Sequence, residues 1–153
     1  MKINEVTEKH KAGIIPYYVK DGQILMKFMI PSNPAYGGTS PQVAKGEIDP
    51  GEDGRQAAVR EGVEELGLVA SNIVQLFPAG TIAIKGMKES YIMAVFVAEI
   101  KNPNMFSKPH YETGSTMWLT MEQFATQGRQ NQKQIVQHAH QLILSADGRD
   151  QVS

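Results

Sequence analysis

The chain has 153 residues and a formal net charge of −1 at pH 7, because 15 Lys and Arg residues stand against 16 Asp and Glu. This balance argues against a general affinity for nucleic acids or anionic membranes, and the 41% hydrophobic content is typical of a globular protein. The absence of cysteine excludes disulfides and thiolate catalysis, so any metal site must use oxygen or imidazole ligands. Because the sequence contains neither a secretory signal nor an apolar run approaching the roughly 18 residues of a membrane span, we expect a cytoplasmic protein.

The first predicted elements are two strands joined by a tight turn. Residues 12–30 contain two β-branched and aromatic runs on either side of Asp21-Gly22, a dipeptide that favours a hairpin turn. Pro16 indicates an edge of the sheet or a bulge, because proline cannot donate a ladder hydrogen bond. The Pro-, Gly- and Asn-containing stretch 31–41 predicts a surface loop.

A helix is predicted after a short strand at 42–44. It begins near Asp53 and ends at Gly67, a residue type that commonly terminates helices. Helical spacing predicts one apolar stripe facing the core and one acidic face on the opposite side. The stripe consists of Val59, Val63 and Leu66, and the acidic face of Glu61, Glu64 and Glu65.

The second half of the chain alternates predicted strands with loops and ends in helices. Strands are expected at 73–77, 80–84, 91–100 and 116–119, and the continuous apolar run 91–100 indicates a central position in the sheet. Thr120 and Gln123 resemble a capping box at the start of a helix. A longer helix is indicated by the spacing of Ile135, Ala139, Leu142 and Ile143. No repeat or linker divides the chain, so we expect one α+β domain over residues 1–153.

The acidic face is unfavourable for the helix on its own. Glu61 and Glu65 are separated by four positions, where like charges cost about 0.2–0.5 kcal/mol. Glu64 and Glu65 also occupy the last turn, where the helix dipole disfavours acids by roughly 0.3–1 kcal/mol. A divalent cation would reverse both penalties, because hard cations prefer oxygen ligands. We therefore interpret the face as a site for Mg²⁺, with Mn²⁺ as a substitute, against the alternative of a simply solvated acidic surface.

The segment that contains this helix resembles the Nudix box, G-x5-E-x7-R-E-U-x-E-E-x-G-U, in which U is a bulky aliphatic residue. The one departure is Gly62, which stands at the first U position and lowers helix propensity by about 1 kcal/mol relative to alanine. The matching residues are Gly46, Glu52, Arg60, Glu61, Glu64, Glu65, Gly67 and Leu68.

Resemblance to the Nudix hydrolase family implies both a fold and an activity. The fold would be an α/β/α sandwich around a mixed, mostly antiparallel sheet. The activity would be Mg²⁺-dependent hydrolysis of a nucleoside diphosphate linked to another group. The resemblance also implies that Glu52 and Arg60 brace the helix. The implied metal ligands are Glu61, Glu64, Glu65 and the carbonyl of Gly46.

Three residues outside the acidic helix are further candidates. Glu112 precedes Trp118 in a polar loop, a region from which family members often take a general base. Lys45, beside Gly46, could meet a phosphate, and Tyr36 could stack on a base. The alternatives are an ordinary loop carboxylate, a solvated lysine and an aromatic residue that only packs.

The resemblance leaves the substrate open. ADP-ribose, flavin adenine dinucleotide and dinucleoside polyphosphates are favoured. Removal of deoxynucleoside triphosphates and hydrolysis of RNA 5′ ends are alternatives. A non-catalytic module that senses a nucleotide is the alternative of another class, and the presence of the motif carboxylates argues against it. We expect a small nucleotide as the partner, with no membrane and no strong nucleic-acid signal, and a homodimer remains open.

Overall fold

The computed structural model describes residues 9–36, 38–86 and 89–152. Within these ranges six strands and three α-helices follow one another. Three short 3-10 turns lie between them, at Pro34–Tyr36, Ala70–Asn72 and Gln130–Gln132. The strands and helices are β1 (Lys9–Lys20), β2 (Gln23–Pro31), β3 (Ala44–Glu47), α1 (Gly54–Leu66), β4 (Ile73–Lys85), β5 (Ser90–Ile100), β6 (Thr113–Leu119), α2 (Met121–Gln127) and α3 (Lys133–Val152).

The strands form one mixed sheet in the order β4-β5-β1-β2-β6, and β3 pairs with β1. Only the β1–β5 pair is parallel among the pairs of the described strands. The β1–β2 hairpin turns through Asp21 and Gly22, whose φ angles are 52° and 78°. The predicted hairpin and the predicted mixed, mostly antiparallel sheet are both confirmed.

Pro16 does not lie at an edge of the sheet, as the sequence suggested. It pairs with Ala98 of β5 in the interior of the sheet. On the other side of β1, pairing with β3 ends at Ile14 and pairing with β2 begins at Tyr17. Pro16 therefore occupies the gap where β1 changes partner, and on that side no ladder hydrogen bond is required of it.

Strand β4 is longer than predicted. The two strands expected at 73–77 and 80–84 form the single strand β4, whose register shifts between Pro78 and Gly80. That irregularity explains why the sequence pattern appeared broken. β5 lies between β4 and β1, which confirms its central position.

Helices cover both faces of the sheet, which confirms the predicted α/β/α arrangement. On one face, α1 packs through Ala57, Ala58 and Leu66. On the other face, Phe124 of α2 stacks on Phe28, with ring centroids 4.3 Å apart. The apolar side of α3 is buried there too, including Ile135, Ala139 and Ile143 as predicted. None of the helices described is long and apolar enough to cross a membrane.

Candidate active site

Helix α1 is fixed at both ends by local hydrogen bonds. At its start the side chain of Asp53 accepts from the N–H of Gln56, and the side chain of Gln56 accepts from the N–H of Asp53. At its end Gly67 adopts a left-handed conformation with a φ of 73°. A β-carbon at Gly67 would also overlap the carbonyl of Ser107. The predicted helix ends are confirmed, and they hold the acidic residues at a fixed height above the sheet.

The face that α1 turns to the sheet differs from the predicted apolar stripe. Of the predicted stripe, Leu66 is buried and Val59 packs partly buried against the core, whereas Val63 is 41% exposed. The reason is Gly62, because a β-carbon there would lie 2.9 Å from both Ile14 Cγ2 and Leu68 Cδ2. Without a side chain at this position the helix approaches the sheet closely and turns Val63 outward. The buried residues are Ala57, Ala58, Glu61, Gly62 and Leu66.

With Val63 turned outward, α1 places Glu61 and Glu65 against β3. Glu61 is only 7% exposed, and a β-carbon at Gly46 would overlap its carboxylate. Oε1 of Glu65 accepts a hydrogen bond of 3.0 Å from the N–H of Lys45. The expectation that all three glutamates lie opposite the core is therefore wrong, since Glu61 is itself buried. Glu64 is the most exposed of the three, with 37% of its side chain accessible.

Arg60 links the buried carboxylate of Glu61 to the loop before helix α1. Its Nε and Nη2 atoms donate to the two oxygens of Glu52 at 2.7 and 2.9 Å, a bidentate pair. Its Nη1 atom donates to Oε2 of Glu61 at 2.8 Å. Hydrogen bonding to Arg60 holds the pKa of Glu52 at about 2, well below its ordinary value. Arg60 thus joins Glu52 and Glu61 through hydrogen bonds, and the bracing role that the resemblance implies for it stays a prediction.

The loop before β6 brings Glu112 to the same place. The N–H of His110 donates to the Glu64 carbonyl at 2.8 Å, and the Thr113 hydroxyl donates to the Glu65 carbonyl at 2.8 Å. These bonds lay the loop across the C-terminal end of α1. The charge of Glu112 then contributes to raising the pKa of both Glu61 and Glu65. The sequence predicted Glu112 as a site residue, and the structure places it beside the acidic helix.

Burial is the main cause that raises the pKa of Glu61 and of Glu65, and neighbouring carboxylates add to it. Among the described side chains, no three acidic or imidazole groups are arranged to hold a metal ion directly. Glu61 faces Arg60 and Glu65 faces the N–H of Lys45 instead. The chemistry of the donors nevertheless fits a hard divalent cation, because crowded and buried carboxylate oxygens gain stability from added positive charge.

A cavity of about 720 Å³ opens beside Glu65 and Glu112. Lys45 lines it, and its Nζ atom donates to Oε1 of Gln42 at 3.1 Å. Burial lowers the pKa of Lys45, the charge of Glu65 opposes this shift, and the charges of Lys11 and Arg129 add to it. Lys45 thus lines the cavity beside Glu65, and its contact with a phosphate stays a prediction. The side chain of Tyr36 falls outside the described residues, so its predicted stacking role stays a prediction.

The cavity also contains polar residues that the sequence did not single out. Arg129 lies in the loop between α2 and α3, and its Nη1 atom donates to Oε1 of Gln42 at 3.2 Å. Tyr91 and Asn131 each have a buried oxygen that finds no hydrogen-bond partner among the described residues. A single arginine in a loop belongs to no motif, so no signal in the sequence could have identified it.

Comparison with known families and structures gives a consistent result. The model of the NUDIX domain family matches residues 9–139. No curated protein matches the chain in sequence. Several solved structures share the fold at low identity.

An Ap4A hydrolase from C. elegans, solved as a binary complex, has a TM-score of 0.75 at 20% identity, covering 90% of this chain and 98% of that one. The NUDIX domain of NrtR from Shewanella oneidensis, solved with ADP ribose, has a TM-score of 0.73 at 12% identity, covering 90% and 89%. A MutT protein from Methanosarcina mazei Go1 has a TM-score of 0.68 at 16% identity, covering 90% and 96%.

Proposed function

The chain belongs to the Nudix hydrolase family, and from this membership and the geometry of the acidic helix we propose that it is a Mg²⁺-dependent pyrophosphohydrolase. Its substrate would be a nucleoside diphosphate linked to another group. The observation that carries the proposal is the close placement of a buried Glu61 and a partly buried Glu65, next to Glu112 and a cavity of about 720 Å³. We place the activity in one domain, and a cytoplasmic location and a homodimer stay predictions.

The roles proposed for the acidic residues follow from the resemblance to the family. Glu61, Glu64 and Glu65 would hold the cation, together with the carbonyl of Gly46. Mg²⁺, or Mn²⁺ in its place, supplies neutralisation of the phosphate oxygens and a more acidic bound water when it is present. Arg60 and Glu52 would keep Glu61 in position, because three of the Arg60 hydrogen bonds join these two carboxylates.

Glu112 is the proposed general base. Its loop is tied to α1 through the Glu64 and Glu65 carbonyls, and its backbone carbonyl accepts from the N–H of Ser32. These backbone contacts keep Glu112 near enough for its charge to act on Glu61 and Glu65. It can accept the proton that a water molecule loses when it attacks phosphorus.

The structural neighbours support a nucleotide substrate without separating the candidates. One is an Ap4A hydrolase, one was solved with ADP ribose, and one is a MutT protein. Flavin adenine dinucleotide, triphosphate removal and RNA 5′-end hydrolysis remain candidates from the family resemblance alone. The volume of the cavity suits a nucleotide in each case.

The test is release of mononucleotides from a panel that contains diadenosine tetraphosphate, ADP-ribose, flavin adenine dinucleotide and nucleoside triphosphates, with and without Mg²⁺. The proposal expects at least one substrate to be cleaved only with the cation. The alternative of a sensing module would be supported if a nucleotide bound with measurable affinity and no product formed under any condition.

A further inference from the structure

Two of the cationic side chains that line the cavity, Lys45 and Arg129, meet at one polar acceptor. Nζ of Lys45 and Nη1 of Arg129 both donate to the same acceptor, Oε1 of Gln42, at 3.1 and 3.2 Å. Within the described residues neither group forms an ion pair. Two like charges held at one amide oxygen repel each other, so an anion placed between them would relieve the repulsion. Arginine is also suited to phosphate, which it can bind in a bidentate manner.

A third group in the cavity lacks a partner of its own. Tyr91 is 5% exposed, and its hydroxyl is buried with no hydrogen-bond partner in the described structure. The charge of Arg129 acts on this hydroxyl, so the two groups are neighbours. A buried hydroxyl without a partner is unfavourable, and a bound acceptor would recover that cost. Tyr91 can donate to an anion, as Lys45 and Arg129 can.

The position of these donors relative to the acidic helix is set by Lys45. Its N–H is bonded to Glu65, whereas the end of its side chain reaches Gln42 and the Arg129 guanidinium. The three donors therefore lie one lysine side chain away from the carboxylates that would hold the cation. A phosphate bound by them would lie in the same cavity as Glu65, next to the carboxylates proposed to hold the cation.

We propose that Lys45, Arg129 and Tyr91 form an anion subsite for an additional phosphate, so that the substrate carries three or more phosphates in a row. This inference rests on the proposed function and deepens it. It favours dinucleoside polyphosphates and nucleoside triphosphates over ADP-ribose and flavin adenine dinucleotide, which contain only the phosphates of the cleaved anhydride. Asn131, whose unpaired Oδ1 also lies in the cavity lining, would accept from a hydroxyl or amine further along the ligand.

The subsite itself is tested without metal or catalysis. Inorganic phosphate, in a buffer with EDTA, is titrated into the wild type and into Arg129→Gln while the backbone amide resonances are followed by NMR. The expected result is that amides around Lys45, Tyr91 and residue 129 shift in the wild type and that Kd rises by roughly tenfold or more in the variant. Arg55→Gln is the matched control, because Arg55 lies outside the cavity and should change Kd by less than about twofold.

The substrate class is tested by kinetics on two compounds. Arg129→Gln should lower kcat/KM for diadenosine tetraphosphate by roughly tenfold or more and for ADP-ribose by less than about threefold, while Arg129→Lys should recover part of the loss. An equal effect on both compounds would overturn the inference of an additional phosphate, and an unchanged Kd for inorganic phosphate would overturn the subsite. If the wild type cleaved no nucleotide, the proposed function would fail while the phosphate titration still decided the subsite.

Discussion

Gly46 of β3 and Glu61 of α1 are in such close contact that a β-carbon at residue 46 would overlap the Glu61 carboxylate. The carboxylate is buried and turned toward Arg60, which donates to it at 2.8 Å. The first glycine of the motif thus has a steric role, since its missing side chain provides the space that the carboxylate fills. The position of the acidic group depends on the strand as much as on the helix.

Gly46→Ala is predicted to displace Glu61 and to lower kcat by at least roughly tenfold, because small shifts of catalytic groups have large effects on rate. Overpacking should also cost about 1–3 kcal/mol of stability. Gly54→Ala is the matched control, since a β-carbon there meets Phe96 at an ordinary 3.6 Å. Steady-state kinetics and thermal unfolding of both variants provide the comparison. Wild-type activity in Gly46→Ala would show that Glu61 does not need this space.

Gly62→Ala is predicted to destabilise the protein, although alanine raises helix propensity by about 1 kcal/mol. The added β-carbon would lie 2.9 Å from Ile14 Cγ2 and from Leu68 Cδ2. The cost of overpacking, about 1–3 kcal/mol, should exceed the gain in propensity. Urea unfolding would measure the difference, again with Gly54→Ala as the control. An increase in stability would mean that α1 can move away from the sheet without loss.

The sequence predicted the ends of α1 correctly but not the face that it buries. Asp53 and Gly67 act through local hydrogen bonds and backbone conformation, which the sequence encodes within a few residues. The burial of Glu61 and the exposure of Val63 depend instead on how closely Gly62 lets the helix approach Ile14. Helical periodicity contains no information about that distance.

The cavity was even less accessible to prediction. Tyr91 lies in β5 and Arg129 lies in the loop after α2, so only the assembled sheet and its covering helices bring them together. Neither residue belongs to a motif or to a charge pattern. Lys45 and Glu112 could be proposed because each stands near a recognisable feature, the glycine of the motif in one case and Trp118 in the other.

The ion pair between Glu52 and Arg60 predicts a specific dependence of stability on pH. The pKa of Glu52 is lowered from 4.5 to about 2, so the contribution of its charge is fully present above pH 4.5 and is lost as the pH falls through 2. The wild type should therefore be more stable than Glu52→Gln at pH 6, and the difference should narrow between pH 4.5 and pH 2. Chemical unfolding of both proteins across this range measures it.

The control for that experiment is Glu122→Gln, since Glu122 is exposed and has no ion-pair partner among the described residues. Its difference from the wild type at pH 6 should be smaller than that of Glu52→Gln. A Glu52→Gln difference that stayed constant down to pH 2 would contradict the assigned ion pair.

Glu112→Gln is predicted to lower kcat by roughly 10²-fold or more with little change in KM, because a general base acts in the transition state rather than in substrate binding. The fold should be unaffected, since the loop is held by backbone bonds to α1. Glu122→Gln again provides the control for loss of one negative charge. If kcat and KM both changed by less than about threefold, Glu112 would be an ordinary loop carboxylate.

The most direct measurement of the central claim is the Mg²⁺ dependence of hydrolysis in the wild type and in Glu65→Gln, on whichever nucleotide the wild type cleaves. Glu65 accepts from the N–H of Lys45, and glutamine can keep that contact while losing the charge. The account predicts that turnover falls by at least about 10²-fold at equal Mg²⁺ while the thermal stability does not decrease, because removing one of two neighbouring buried charges relieves repulsion. Wild-type turnover with an unchanged Mg²⁺ dependence in Glu65→Gln would contradict the assignment of this helix as the metal site.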